Sequence, residues 1–116
     1  MKLIACLSTG KGTWGHVSRL IQDGSWDDII LITNDFGKEK FTLEKGEMIV
    51  IDNRAEITDM RDDIKKKLEG KLNDTEVAVN IVSGDGKEHT ALISALLQSG
   101  VGIKLVAVTK DGVKEL

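Results

Sequence analysis

The chain of 116 residues has no proline, no tyrosine and one cysteine, with only two tryptophans and two phenylalanines. Without proline there is no rigid linker and no proline-rich recognition segment. A single cysteine excludes an intramolecular disulfide and indicates a reducing compartment. Cys6 lies inside an apolar run and is interpreted as a small buried hydrophobic side chain. Since no apolar segment reaches the length of a signal peptide or a membrane span, we expect a cytoplasmic protein with no membrane partner.

Composition is that of one ordinary domain, which we place at residues 1–116. Hydrophobic residues make up 41% of the chain and charged residues 30%, with a formal net charge of −3 and a pI of about 5.4. This acidic balance argues against non-specific nucleic-acid binding, so direct contact with duplex DNA is not expected. A small phosphorylated ligand remains compatible, because a few backbone amides and one lysine can hold it.

Short apolar runs alternate with helical patterns along the chain. Strands are predicted at residues 3–7, 29–33, 48–51, 77–82 and 103–108. Helices are predicted at residues 13–23, 57–68 and 88–99. Segment 38–46 is ambiguous and alternates weakly, as in an edge strand, and the residues after 108 form a polar tail. The order predicts a Rossmann-like three-layer α/β fold with a mainly parallel sheet of about five strands.

Two of the predicted strand-to-helix turns are rich in glycine. They cover residues 8–16 and 83–87. Right-handed crossovers place such turns at one edge of the sheet, where open α/β sheets bind their ligands. Outward-facing N–H groups and the positive end of a helix attract an anion there, most often a phosphate.

These turns, together with Asp35 at the end of the second predicted strand, supply the candidate ligand-binding residues. They are Ser8, Thr9, Gly10, Lys11, Gly12, Thr13, Trp14, Asp35, Ser83, Gly84, Asp85, Gly86, Lys87 and His89. The lysines are candidates for phosphate contact or for solvated charge, and the tryptophan for stacking on a base or for covering the sheet. His16 and His89 fall in the first turns of predicted helices, where they are candidates for an acid, a base or a phosphate contact. Without a third well-spaced ligand they do not predict a zinc site, and no metal, cofactor or catalytic residue is assigned.

The first turn also matches two short nucleotide-binding patterns. Residues 10–13 look like the end of the P-loop of nucleoside monophosphate kinases, but that pattern needs a glycine where the chain has Ala5. The motif Gly10-x-Gly12-x-x-Gly15 matches the dinucleotide fingerprint, and Asp35 follows it by about 20 residues, at the place of a ribose-binding acid. A small NAD(P)-type regulatory module is therefore the alternative interpretation.

Segment 79–101 resembles the C-terminal half of CARF (CRISPR-associated Rossmann-fold) domains. In that family a strand ends in an Asp-x-Thr/Ser-Gly-Gly-like turn, often followed by Lys or Arg, and an apolar helix comes next. Here Ser83-Gly84 and Lys87 match the turn, whereas Asn80 stands where the family often has Asp. Asp85 replaces a position that is usually small or glycine.

The resemblance implies a homodimer that binds a cyclic oligoadenylate across its two-fold axis through both turns of each subunit. The turn Ser8-Thr9-Gly10 corresponds to the first ligand loop of the family. Some members cleave the ring without a metal, so a stand-alone form is expected to be a sensor, a ligand sink or a ring nuclease. The wide apolar arc of the last predicted helix, which includes Leu96 and Leu97, suits a dimer contact. An interaction domain without a ligand is a third interpretation.

Overall fold

The computed structural model describes residues 1–8 and 10–116, and these form a Rossmann-like α/β fold of three layers. The six strands of the described residues are β1 Lys2–Leu7, β2 Asp28–Thr33, β3 Glu47–Val50, β4 Glu76–Asn80, β5 Gly102–Thr109 and β6 Gly112–Glu115. The four α-helices of the same residues are α1 Trp14–Asp23, α2 Asp35–Lys40, α3 Ile57–Lys67 and α4 Gly86–Gln98. Within this part of the chain, no helix combines the length and the apolar character that a membrane crossing requires.

The sheet has the strand order β3-β2-β1-β4-β5-β6. Strands β1 to β5 pair in parallel and β6 pairs antiparallel with β5. From β1 the chain builds outward to β2 and β3, then returns to add β4 on the other side of β1. The carboxyl ends of β1 and β4 are therefore neighbours at the point where the strand order reverses, which is where ligands of such sheets bind.

Both faces of the sheet are buried along β1, β2 and β4, which explains the nearly continuous apolar character of these strands. Along β1, Leu3 and Leu7 pack on the side of α1, where they meet Leu20. Alternate residues such as Ile4 face the other side and pack beneath α3 and α4, in a cluster that includes Leu92. Because successive side chains of a strand point to opposite faces, one apolar run serves two cores.

The predicted mainly parallel sheet of about five strands is confirmed, and a sixth strand, β6, is formed by the segment interpreted as a polar tail. A two-residue turn, Lys110-Asp111, connects β5 to β6, and Thr109 pairs with Gly112 across it. Gly112 has a φ of 104°, a conformation that glycine adopts without strain. An Asp-Gly pair between two short strands is a hairpin signal. The apolar content of β6 is too low for the strand to be recognised by hydrophobicity alone.

The ambiguous segment 38–46 does not form the edge strand that its weak alternation suggested. Its first residues belong to α2, and the next strand begins only at Glu47. The helix starts here because the side chain of Asn34 accepts a hydrogen bond from the backbone N–H of Gly37 at 2.9 Å. A side-chain cap of this kind satisfies an N–H group that the first helical turn leaves without a partner.

Candidate functional site

The carboxyl ends of β1 to β5 lie at one edge of the sheet, because these strands are parallel. The turns at residues 8 and 10–13, 34, 51–56 and 81–85 follow four of these strands and share that edge. The two glycine-rich turns come from β1 and β4, which pair directly. They are therefore neighbours although they are far apart in the sequence, and the edge between them, where the strand order reverses, is called the crevice here.

Three polar side chains join the first turn to the fourth at the floor of this crevice. The backbone N–H of Ser8 donates to Ser83 Oγ at 3.2 Å, and Ser8 Oγ donates to Glu88 Oε1 at 3.0 Å. The three residues are only 5%, 0% and 4% exposed, respectively. Because buried polar groups are costly unless they are hydrogen-bonded, these contacts fix the two turns against each other.

The start of α4 is occupied by carboxylates of the protein itself. Asp85 caps the helix by accepting from the backbone N–H of Glu88 at 2.8 Å, and Glu88 Oε1 accepts in return from the N–H of Asp85 at 3.0 Å. Gly84 precedes them with a φ of 103°, and Gly86 is the first helical residue. This reciprocal capping box pairs two of the N–H groups at the start of α4 with carboxyl groups of the protein. The fourth turn therefore shapes the crevice but offers little free positive charge.

The first turn has the opposite character. Gly10 has a φ of 105° and precedes a short 3₁₀ turn, Lys11–Thr13. No side chain among the described residues caps this turn or the start of α1. A Cβ atom placed on Gly10, Gly12 or Gly15 would meet no atom within 4 Å. The turn thus has N–H groups that no described side chain caps, and the Cβ positions of its glycines border open space. The predicted contact Thr9 lies outside the described residues.

A cluster of aromatic rings lies beside the first turn. The Trp14 ring is 5.7 Å from Phe36 and 5.7 Å from Phe41, measured between centroids. Trp14 Nε1 donates to the carbonyl of Ser8 at 2.8 Å, which holds the ring against the turn. Lys11 Nζ lies 5.9 Å from the Trp14 centroid and 5.6 Å from that of Phe36, within the range of cation–π attraction.

Lys87 and His89 both contact the backbone of neighbouring turns. Lys87 Nζ donates to the carbonyl oxygens of Asn53 and Ala55, at 2.8 Å each, and so joins α4 to the turn after β3. His89 Nε2 lies 2.8 Å from the carbonyl oxygen of Ser83, which can only accept, so this nitrogen carries the hydrogen. The structure gives both side chains a role in holding turns together.

His16 contacts the carboxyl end of β4 on the side of β5. Its Nε2 lies 3.1 Å from Asn80 Nδ2 and 3.3 Å from the backbone N of Val108. Both groups are donors, so Nε2 must be an unprotonated acceptor. Asn80 Nδ2 also donates to the carbonyl of Val106 at 2.9 Å. Burial lowers the pKa of His16 below its usual value, and the positive charge of Arg19 lowers it further.

Asp35 is brought to the same edge, but one strand away from the crevice. It is the exposed first residue of α2, after the capping residue Asn34. A cavity of about 420 Å³ opens beside it at the carboxyl ends of β2 and β3. Its lining residues are Asn34, Asp35, Phe36, Val50, Ile51, Asp52, Asn53 and Arg54.

Comparisons with protein-family models and with curated proteins assign no role to these residues. No protein-family model matches the sequence. No curated protein matches it either. A function for the crevice therefore has to be argued from its own geometry.

Cys6 lies in the core, and its thiol is affected by the acidic groups of the fourth turn. Burial raises the pKa of the Cys6 thiol far above its usual range, and the nearby charges of Glu88 and Asp85 raise it further. Cys6 is thus an unreactive core side chain. Within residues 1–8 and 10–116, no group of three or more His, Cys, Asp or Glu side chains could hold a metal ion.

The sequence-based candidates omitted Glu88, Phe36 and Phe41. The spacing Asp85-x-x-Glu88 before an apolar helix is a capping-box signal and could have identified the glutamate. Its contact with Ser8 joins residues 80 positions apart and has no local signal. The same holds for Phe36 and Phe41, which contact Trp14 from more than 20 positions further along the chain.

Proposed function

We propose that this domain binds a phosphorylated nucleotide, of the cyclic oligoadenylate class, at the carboxyl edge of its sheet as a homodimer. One observation carries the proposal. The first turn is joined through Ser8 to Ser83 and Glu88 of the fourth turn, yet is open and uncapped at residues 10–13. A rigid floor with an open rim of N–H groups is the arrangement that nucleotide phosphates favour.

The phosphate contact is assigned to the first turn. Its N–H groups lie at the positive end of α1 with no side-chain cap among the described residues, and Lys11 is exposed beside them. Lys87 has a different role in this proposal, because its ammonium group already binds two carbonyl oxygens.

The base contact is assigned to the aromatic cluster. Phe36 is 37% exposed and packs on Trp14 immediately beside the phosphate turn. Stacking of a base on an aromatic ring is tolerant of sequence and contributes about 1–3 kcal/mol per base. The ring faces and the turn together match a ligand that has both a phosphate and a base.

The second subunit is assigned to the outer face of α4. Leu97 is 63% exposed there, and a shallow cavity of about 470 Å³ runs along the helix. Its lining residues are Ile81, His89, Thr90, Ile93, Ser94, Leu97 and Gln98, with no aspartate, glutamate, lysine or arginine. In a two-fold dimer the same patch faces itself, so a patch without such charges avoids like-charge repulsion. Since α4 starts at the fourth turn, this contact would bring two crevices together.

The alternative is a dinucleotide module, and one observation favours it. The strand order is that of dinucleotide-binding folds, and Asp35 lies at the end of β2 beside a cavity. The third glycine of that fingerprint normally permits close packing of helix and strand. A Cβ on Gly15 would meet nothing within 4 Å, so Gly15 has no such packing role here.

Thermal unfolding and native mass spectrometry with cyclic tetra-adenylate, cyclic hexa-adenylate, NAD and ATP test the proposal. A cyclic oligoadenylate at a hundred times its dissociation constant should raise the melting temperature by about 5 °C or more. The same spectra report cleavage as a linear product. Stabilisation by NAD alone would support the dinucleotide module, and no shift with any ligand would refute the nucleotide site.

A matched pair of variants locates the site. Lys11→Met should weaken binding about tenfold, because it removes the exposed positive charge beside the first turn. Lys66→Met removes an exposed lysine of α3 and should leave the affinity unchanged. Equal affinities of the two variants would place the phosphate elsewhere.

A further inference from the structure

A cavity of about 340 Å³ opens on the α1 face of the sheet, toward the edge opposite the crevice. It lies between the second half of α1, the start of β2 at Ile29, and segment 41–45, which precedes β3. Ile29 is the second residue of its strand, so this end of the cavity is at the amino edge of the sheet. Small-molecule sites have volumes of about 300–1,000 Å³, so the cavity can hold a small ligand.

Apolar and aromatic side chains form the inner wall of this cavity. Ile21, Trp26, Phe41 and Leu43 line it and pack against the buried core on the α1 side. Ile29, which is 2% exposed, belongs to that core and reaches the cavity as well. The other four side chains are only partly buried, so they keep apolar surface that a ligand would remove from water.

Internal contacts hold this wall in place. Trp26 Nε1 donates to the carbonyl of Leu20 at 2.8 Å, which fixes the indole ring at the end of α1. The ring lies so close to Gly24 that a Cβ atom there would be 2.3 Å from Nε1. Gly46 lies against the carbonyl of Ile29 with a φ of 107°, which anchors the segment before β3. Because the wall is already ordered, a ligand loses little binding energy to ordering it.

Polar side chains of the lining are available to a ligand. The side chains of Ser18, Gln22 and Thr42 form no hydrogen bond within the part of the chain that the structure describes. The carboxylate of Glu44 is exposed, and within residues 1–8 and 10–116 it has neither a hydrogen bond nor an ion pair. The cavity therefore combines an apolar wall with a few convergent polar groups, as small-molecule sites do.

The two charged residues of the lining differ in what they contact. Lys45 Nζ donates to the carbonyl of Trp26 at 3.0 Å. The N-terminal ammonium group lowers the pKa of Asp27 most, and the charge of Lys45 lowers it further, so Lys45 also lies near a carboxylate. Glu44 has no such partner among the described residues. The charge left for a ligand is therefore negative, and aromatic rings beside it attract a cation as well.

We propose that this cavity is a second binding site, which takes a small aromatic amine. The ring of the ligand packs against Trp26, Phe41 and Leu43, and its ammonium group binds the carboxylate of Glu44. The uncharged polar side chains of the lining accept the remaining hydrogens of the ammonium group. The inference does not rest on the proposed nucleotide function, because none of these contacts belongs to the first or the fourth turn.

An NMR titration with phenethylamine tests the site, and 2-phenylethanol is a matched ligand of the same size without the charge. The indole N–H signal of Trp26 and the amide signal of Gly24 should shift. The amide of Gly70, which follows α3 on the other face of the sheet, should not shift. Phenethylamine should bind with a dissociation constant of about 1 mM or tighter, and about fivefold more tightly than 2-phenylethanol.

Three variants assign the contacts. Glu44→Gln removes the charge at an exposed position, so it should weaken phenethylamine about threefold and leave 2-phenylethanol unchanged. Glu69→Gln removes an exposed carboxylate outside the cavity and should change neither affinity. Ser18→Phe fills the cavity from α1, so both ligands should bind at least about tenfold more weakly while the melting temperature stays close to that of the wild type.

The outcomes separate this site from the nucleotide site. Phenethylamine that leaves the signals of Trp26 and Gly24 unchanged would overturn the proposal. Equal affinity for the two ligands, undiminished phenethylamine binding by Glu44→Gln, or unchanged binding by Ser18→Phe would overturn it too. A protein that binds phenethylamine but no nucleotide would refute the proposed function alone, and the reverse result would refute the second site alone.

Discussion

His16 shows how one side chain can extend the hydrogen bonding between β4 and β5 and make the stability of the protein depend on pH. Strand β4 pairs with β5 only as far as Val79 and Leu105. Beyond that point Asn80 binds the carbonyl of Val106, and His16 Nε2 accepts from the N–H of Val108. Protonation of His16 would turn Nε2 from an acceptor into a donor that faces the N–H groups of Asn80 and Val108. The lowered pKa of His16 has burial as its main cause and the Arg19 charge as the second.

The sign of the pH effect follows from this lowered pKa. Below about pH 6.5 the unfolded chain takes up a proton at His16 that the folded chain does not yet bind. The stability should therefore fall as the pH decreases from 7.5 to 5, and level off below the folded pKa. His16→Gln keeps an acceptor without titrating, so urea unfolding should show a smaller fall. His89→Gln leaves the contacts of His16 intact and should retain the wild-type fall. The same slope in all three proteins would contradict this role.

At the scale of elements, Lys87 connects α4 to the turn between β3 and α3. Its ammonium group binds the carbonyls of Asn53 and Ala55, so Lys87→Met should lower the free energy of unfolding by about 1 kcal/mol. Hydrogen exchange of the Ala55 amide should become faster. Lys110→Met, at the exposed turn between β5 and β6, should change stability by less than about 0.5 kcal/mol. Unchanged stability together with lost ligand affinity would mean that Lys87 contacts the ligand instead.

The same scale shows what the sequence could predict. The apolar runs of β1, β2 and β4 predict buried parallel strands because each must fill two cores, and the structure confirms this. The elements that were missed, α2 and β6, are short and depend on a cap at Asn34 and a turn at Gly112. The shared edge of the turns follows from topology. Contacts such as Ser8 with Glu88 depend on side-chain packing between distant segments, which no local pattern encodes.

At the scale of the whole molecule, the two ends of the crevice have opposite polarity. The fourth turn contributes Asp85 and Glu88, whereas the first turn contributes uncapped N–H groups and Lys11. A two-fold dimer through α4 would place two such crevices side by side and suit a ligand that itself has repeated nucleotides.

The dimer is tested at Leu97, which is 63% exposed on the outer face of α4. Sedimentation of the wild type should give twice the chain mass of 12.7 kDa. Leu97→Glu places two like charges in the proposed interface and should raise the dimer dissociation constant at least about tenfold, with little change in monomer stability. Gln22→Glu adds the same charge to α1 on the opposite side of the sheet and should remain dimeric. A monomeric wild type, or a dimer that Leu97→Glu leaves intact, would contradict a ligand site built across this face, because the two crevices would then have no reason to meet.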